Sequence, residues 1–319
     1  MIKSGMDRSY SPLKLNAEMD FPAKILLFGE YGILLNSKAL SMPYSRFSGR
    51  FRMLDRHAGN LKTEEAGSNA SLKSLLRYFI LNSNKFSFIR LDQFQEEVNH
   101  GLYFDSSIPS GSGLGSSGAL TAALYNRYAI DTSLNDYQKI QSYLAEIEAC
   151  FHGISSGIDP LTSLLKRALL IENKNATVKM PDLSTFFNTF SLFLINSHLT
   201  GNTSDLVTHF MEQYHQPEFR EKINEEYVPV INQTIDSLIA NDFNSFTTLI
   251  ARYSQFQLSH FERMIPDAMR KFFLYGIETG NFYLKLCGSG GGGYLLAISP
   301  DRLKAENYFK LNHLDYTIV

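Results

Sequence analysis

Apolar positions along the chain fall into strand-sized runs and helix-spaced stripes. Pro22–Phe28 is nearly continuous in apolar side chains and predicts a strand. A turn at Gly29-Glu30-Tyr31-Gly32 leads into a second apolar run, Ile33–Leu35. Ser71–Leu81 has helical spacing, Phe86–Leu91 alternates as a strand does, and Leu102–Phe104 reads as a strand end. Gly115–Tyr128 is rich in Ala and Leu and predicts a helix. Asn135–Phe151 predicts a second, with Tyr137, Ile140, Leu144 and Ile147 on one face. A short helix is expected at Ser156–Leu165, then strands at Ala168–Ile171 and Phe190–Ile195. Helical patterns follow at Glu218–Ala240, with Pro229 a break or kink, at Phe243–Phe261 and at Asp267–Thr279. Strands at Phe282–Leu286 and Tyr294–Ile298, a helix at Leu303–Leu311 and a strand at Asp315–Val319 close the pattern. Helices and strands mix without strict βαβ alternation, which predicts an α+β fold rather than a doubly wound sheet. The polar stretch from Glu172 to Pro181 reads as a linker, and the boundary expected there divides the chain into 1–178 and 179–319.

Composition narrows the functional classes. Hydrophobic residues make up 44% and charged residues 19% of 319, the balance of a folded chain. A net charge of −2 argues against a general nucleic-acid binder or a polybasic membrane-surface protein. The longest apolar runs, such as Ile25–Phe28 and Leu192–Ile195, fall far short of the ~20 residues that span a bilayer. Met1 to Phe21 has no apolar core of signal-peptide length. Cys150 and Cys287 form no CxxC and no disulfide framework, so a reducing compartment, the cytoplasm, is expected.

Glycine placement points to chemistry. Nine of the 21 glycines fall in two windows: Gly111, Gly113, Gly115 and Gly118, then Gly288 and Gly290 to Gly293. The first, Pro109-Ser-Gly-Ser-Gly-Leu-Gly-Ser-Ser-Gly118, lies between a strand and a strong helix. Alternate glycines permit positive φ and let successive amides form an anion nest at a helix N-terminus. Phosphate binding is expected there, over the plainer reading of a flexible connection with a serine cap. No lysine follows the last glycine, so this is not a P-loop NTPase, and no βαβ unit makes it a dinucleotide fingerprint.

That decapeptide resembles the phosphate loop of the GHMP small-molecule kinases, Pro-x-x-x-Gly-Leu-Gly-Ser-Ser-Ala, with Gly118 in place of the final Ala. Pro22-Ala-Lys-Ile-Leu-Leu-Phe-Gly-Glu30 resembles the family's N-terminal substrate motif. Lys285-Leu-Cys-Gly-Ser-Gly-Gly-Gly-Gly293 resembles its C-terminal glycine motif. His152-Gly-Ile-Ser-Ser-Gly-Ile-Asp159 and Gly201-Asn202-Thr203 resemble segments of the mevalonate kinases within that family.

The resemblance implies a two-domain α+β architecture: a ribosomal-protein-S5-like N-terminal domain and a ferredoxin-like C-terminal domain, with the site between them. It implies transfer of the γ-phosphoryl group of ATP, with Mg²⁺, to a small-molecule alcohol, mevalonate first among the candidates. Carried over by motif, Asp159 is the catalytic base and Lys24 its partner. Pro109, Gly111, Gly113, Leu114, Gly115, Ser116, Ser117 and Gly118 bind ATP phosphates. Ser117 and Glu148 hold the metal. Glu30, Tyr31, Thr203, Gly290, Gly291 and Gly292 face the substrate. His152 is read as a structural donor between Glu148 and Asp159.

The departures are Tyr31 for His, Ser155 for Pro, Pro160 for Asn, and Cys287 and Ser289 for Thr and Ala. They leave the phosphate loop, metal ligands and base in place, and bear on the acceptor. A phosphomevalonate or sugar kinase, a decarboxylase of the same fold and a catalytically silent sensor remain rival readings. The His152–Asp159 segment argues against the decarboxylase, and the intact base and metal set against the sensor. No nucleic acid or membrane partner is expected, and a homodimer stays open.

Overall fold

The computed structural model describes residues 19–54, 63–131, 136–172 and 179–319. The first sheet is built from β1 (Phe21–Phe28), β2 (Ala39–Met53), β3 (Leu102–Ser106) and β4 (Leu169–Ile171). β2 lies at its centre, antiparallel to β1 along one side and to β4 and β3 at the two ends of the other. The sheet is backed by α1 (Thr63–Leu81), α2 (Leu91–Asn99), α3 (Ser116–Tyr128), α4 (Tyr137–His152) and α5 (Ile158–Leu165).

β2 was not legible in the hydrophobic pattern because Pro43 and Gly49 interrupt it. Pro43 sits in the stretch of β2 that neither β3 nor β4 covers, and the register with β1 jumps from Ser48 to Tyr44 across a bulge. Phe86–Leu91, expected as a strand, is instead a turn leading into α2. Ile89 alone makes a bridge, to Ala129. Its alternating apolar residues are buried by ring packing, Phe86 stacking on Phe79 at 4.2 Å, so they need no ladder.

The second sheet follows α6 (Ser184–Thr189). It contains β5 (Ser191–Asn196), then, after a run of helices, β6 (Tyr283–Leu286), β7 (Tyr294–Ser299) and, after α12 (Arg302–Leu311), β8 (Tyr316–Ile318). The helices between are α7 (Thr203–Tyr214), α8 (Pro217–Lys222), α9 (Val228–Ile239), α10 (Phe243–His260) and α11 (Asp267–Thr279). The order β6-β7-β5-β8, all antiparallel, is the split βαβ arrangement of a ferredoxin-like unit, as expected.

Pro229 does not end its helix. A π turn at Ile223–Tyr227 joins α8 to α9 immediately before it. The wider turn accommodates a residue without an N–H and rotates Tyr227 into the core, fully buried. α9 and α10 also bind the first sheet. Asn232 Oδ1 accepts from Lys38 N at 2.8 Å, and Phe246 and Tyr253 meet Phe28 edge-on at 6.0 and 5.5 Å.

Candidate active site

The first glycine loop is anchored to the middle of β1. Lys24 N donates to Leu114 O at 2.9 Å, and Ser112 Oγ donates to Pro109 O at 2.6 Å. Gly111, Gly113 and Gly115 have φ of 67°, 79° and 77°, an alternation that turns the backbone into a concave strip. Gly115 is the N-cap of α3, and no side chain caps that helix, so its first turn opens on a cleft of about 630 Å³. Pro109, Leu114, Ser116 and Ser117 line the cleft with the three glycines.

Lys24 and Asp159 meet at its wall. Lys24 Nζ lies 2.8 Å from Asp159 Oδ2; the lysine is buried and the carboxylate 29% exposed, open to a ligand. Burial alone would lower the Lys24 pKa, but the Asp159 carboxylate and the other nearby groups together outweigh it, and the ammonium is held above its usual value. Glu148, from α4, reaches the same cleft. Its Oε1 accepts from Ser117 Oγ at 3.1 Å and its Oε2 from Ser155 Oγ at 2.5 Å. Burial, and then the neighbouring Asp159, push this carboxyl up to about 7.

The donor set suits Mg²⁺. Among the described residues no cluster of three or more metal-binding His, Cys, Asp or Glu side chains occurs. Glu148 and Ser117 offer two hard oxygens at the cleft, leaving the other positions to phosphate and water, as Mg²⁺ prefers. A buried carboxyl driven upward by a like-charged neighbour also gains most from a cation.

Gly118 was expected among the phosphate ligands, but it does not line the cleft. A Cβ there would stand 3.0 Å from both the carbonyl carbon and Cβ of Asp159. Its lack of a side chain lets α5 press against α3, which explains why Gly stands where the family pattern has Ala. The His152 side chain lies outside the described residues.

The substrate-side expectations divide. Glu30 is buried at the cleft floor, and its partners are internal: Lys285 Nζ forms an ion pair with Oε1, and Tyr253 OH donates to Oε2 at 2.5 Å. Burial pushes the Glu30 carboxyl above its usual range against the pull of Lys285. Tyr227 OH donates to Glu30 O at 3.2 Å and Gln257 Nε2 to Tyr227 OH at 3.0 Å. Tyr31 lines the cleft with φ 59°, stacked on Phe210 at 4.5 Å. Its hydroxyl donates to Ser289 O at 2.6 Å, so the phenol grips the second glycine window. Thr203, the first residue of α7, also lines the cleft.

Gly290, Gly291 and Gly292 do not line it; Gly288 and Ser289 do. The three glycines permit close packing behind the wall. Gly291 N donates to Met264 O at 2.6 Å, and a Cβ on Gly290 or Gly292 would fall 2.5 Å from Met264 O or 2.7 Å from Leu199 O. The two glycine windows interlock: Tyr294 N donates to Ser112 O at 3.1 Å, and a Cβ on Gly113 would lie 1.9 Å from Cys287 O. Gly113→Ala is therefore expected to cost about 2–3 kcal/mol through overpacking and positive φ. Denaturant unfolding checks this, and a loss under about 0.5 kcal/mol would contradict it.

Sequence reasoning missed Lys285, Tyr253, Ser155 and Ser289 as contributors. Lys285 and Ser289 stood inside a recognised motif, and Ser155 was visible as a departure from one. Tyr253 carried no local signal, being 223 residues from its partner.

Residues 84–167 match the family described as GHMP kinases N terminal domain. The L. major mevalonate kinase solved in complex with R-mevalonate superposes with a TM-score of 0.62 at 16% identity, covering 94% of this chain and 93% of that one. The Streptococcus pneumoniae phosphomevalonate kinase solved with phosphomevalonate and AMPPNP gives 0.64 at 13%, covering 95% and 99%. The fold is shared with both of these solved kinases, and residues 84–167 are similar to the N-terminal domain of the GHMP kinases. Within that family the resemblance in sequence is to mevalonate kinase. The Pyrococcus horikoshii mevalonate kinase is 26% identical over 307 residues, 88% of each chain.

Proposed function

We propose that this protein transfers the γ-phosphoryl group of ATP to the primary hydroxyl of mevalonate. The observation that carries the reading is the placement of the Lys24–Asp159 pair, at 2.8 Å, in one cleft with Ser117, Glu148 and the glycine strip. Phosphoryl transfer needs the phosphate charge neutralised, the hydroxyl proton removed and the reactants aligned. The amides of residues 111–117 and the open end of α3 receive phosphate oxygens. Ser117 and Glu148 hold Mg²⁺, which supplies the positive charge that offsets the phosphates. Asp159 Oδ takes the hydroxyl proton as the new O–P bond forms. Lys24 pairs with the Asp159 carboxylate and faces the developing alkoxide charge.

The acceptor follows from charge. Among the described residues lining the cleft, Lys24 is the only Lys or Arg. An acceptor that already bears phosphate would call for more, which favours mevalonate over phosphomevalonate. The mevalonate kinase names of the sequence relatives support the same choice. In this reading the chain divides at 178/179; the last strand of the first sheet ends at Ile171 and the first of the second begins at Ser191, while Lys179 bridges Leu170 of β4 and so sides with the first sheet. Among the described residues no helix is long and apolar enough to cross a membrane, and we read the enzyme as cytoplasmic.

An ADP-release assay across mevalonate, phosphomevalonate, galactose and homoserine tests the acceptor. Efficient turnover of another alcohol with none of mevalonate would overturn it. Ser117→Ala and Glu148→Gln are each expected to raise the Mg²⁺ concentration for half-maximal rate about tenfold. If a titration finds both curves unmoved, other residues hold the ion.

A further inference from the structure

Residues 153–157 join α4, which carries Glu148, to α5, whose first turn carries Asp159. Ser155 sits in this connection and lines the cleft. Its hydroxyl bonds in both directions. Oγ donates to Glu148 Oε2 at 2.5 Å and accepts from Gly157 N at 2.9 Å. Gly157 is the N-cap of α5 at φ 71°, and a Cβ there would fall 2.3 Å from Gln141 O. The connection is pinned to α4 a second time, since Gln141 Nε2 donates to Ser156 O at 2.8 Å. The proline that the family pattern places at 155 has no side-chain oxygen for either of the Ser155 bonds.

We propose that Ser155 is a positioning residue for Glu148, setting the carboxylate that holds Mg²⁺; this rests on the kinase reading above. Glu148 is 5% exposed, and a carboxyl buried that far depends on protein donors to fix its orientation. Its two oxygens have separate partners. Ser155 holds Oε2, which leaves Oε1 beside Ser117 Oγ, the pair of oxygens assigned to the ion. The Ser155 hydrogen goes to Glu148 and a lone pair to Gly157 N, so the hydroxyl acts through the carboxylate. The bond to Gly157 fixes the same hydroxyl relative to α5. One side chain therefore ties the carboxylate that holds the ion to the helix that carries the base. Phosphoryl transfer depends on alignment, and this tie keeps the two groups at a constant separation.

Binding of a fluorescent ATP analogue to the intact protein, titrated with Mg²⁺, tests this without turnover. Ser155→Ala is expected to raise the Mg²⁺ concentration for the half-maximal change in affinity about fivefold, the effect of one lost hydrogen bond. Without Mg²⁺ its affinity for the analogue should stay within about twofold of wild type, because the glycine strip and α3 are untouched. A general loosening of the site would move that affinity as well. Ser155→Thr keeps the hydroxyl and should restore the wild-type titration. Added to Glu148→Gln, Ser155→Ala should shift the curve less than about twofold further, because it acts through Glu148. An unmoved curve in folded Ser155→Ala, or the full shift persisting beside Glu148→Gln, would overturn the proposal and leave the kinase reading standing. A wild type that binds no nucleotide at any Mg²⁺ concentration would overturn the kinase reading, and the proposal with it.

Discussion

Asp159→Asn is expected to lower kcat by about 10²–10⁴-fold while nucleotide binding survives. Asparagine keeps the shape of the side chain but cannot take a proton from the acceptor hydroxyl. The change also leaves the Lys24 ammonium, 3% exposed, without its counter-charge. A drop in melting temperature is expected alongside the loss of turnover, because a buried cation without a partner is costly. The two effects separate cleanly in single-turnover experiments at a temperature where the variant is folded. Titration with a fluorescent ATP analogue should give an affinity near that of wild type, since the glycine strip and α3 are untouched. A folded Asp159→Asn protein turning over at near-normal rate would remove Asp159 from the proton transfer.

The largest stability effect is expected at Lys285. Lys285 and Glu30 are both fully buried, and the lysine also donates to Leu26 O at 3.1 Å. Lys285→Met fills much of the same volume but strands the Glu30 carboxyl with Tyr253 and the surrounding backbone. The expected loss is about 3–5 kcal/mol, the usual cost of breaking a buried pair from one side. Replacing both members, Glu30→Gln with Lys285→Met, should recover part of that loss, because no buried charge then remains. Urea unfolding of the two singles and the double measures the coupling. A Lys285→Met protein within about 1 kcal/mol of wild type would show that the pair does not hold this floor together.

Much of the local structure was legible in advance. α3, α4, α10 and α11 carry long amphipathic or small-residue patterns, and β5 and β7 are short apolar runs bounded by turns; such signals need no distant partner. Others were hidden for physical reasons. β2 carries a proline and a glycine, and only the gap between β3 and β4 makes Pro43 acceptable there. α2 was readable in principle, since Leu91, Phe94 and Val98 recur at helical spacing, but the alternation just before it suggested a strand. In Phe86 and Phe88 that alternation reflects ring packing, on Phe79 and Tyr143, which a period-2 rule cannot tell from a strand.

The sequence by itself determined the α+β class, the glycine-rich loop at the head of α3 and the candidate acid and lysine that meet at the cleft. Each is written in a short window: glycines where the backbone must turn, then a helix, then an acid at a set spacing. Only the tertiary structure decided which of those residues face the cleft. It turned Gly118 and Gly290–Gly292 into packing positions, because whether a missing side chain admits a ligand or another backbone depends on what lies opposite. It gave Glu30 a lysine 255 residues away and tied Tyr31 to Ser289, 258 residues away. Burial and charge pairing act through space, and a linear pattern records the side chain that needs a partner but not the partner that satisfies it.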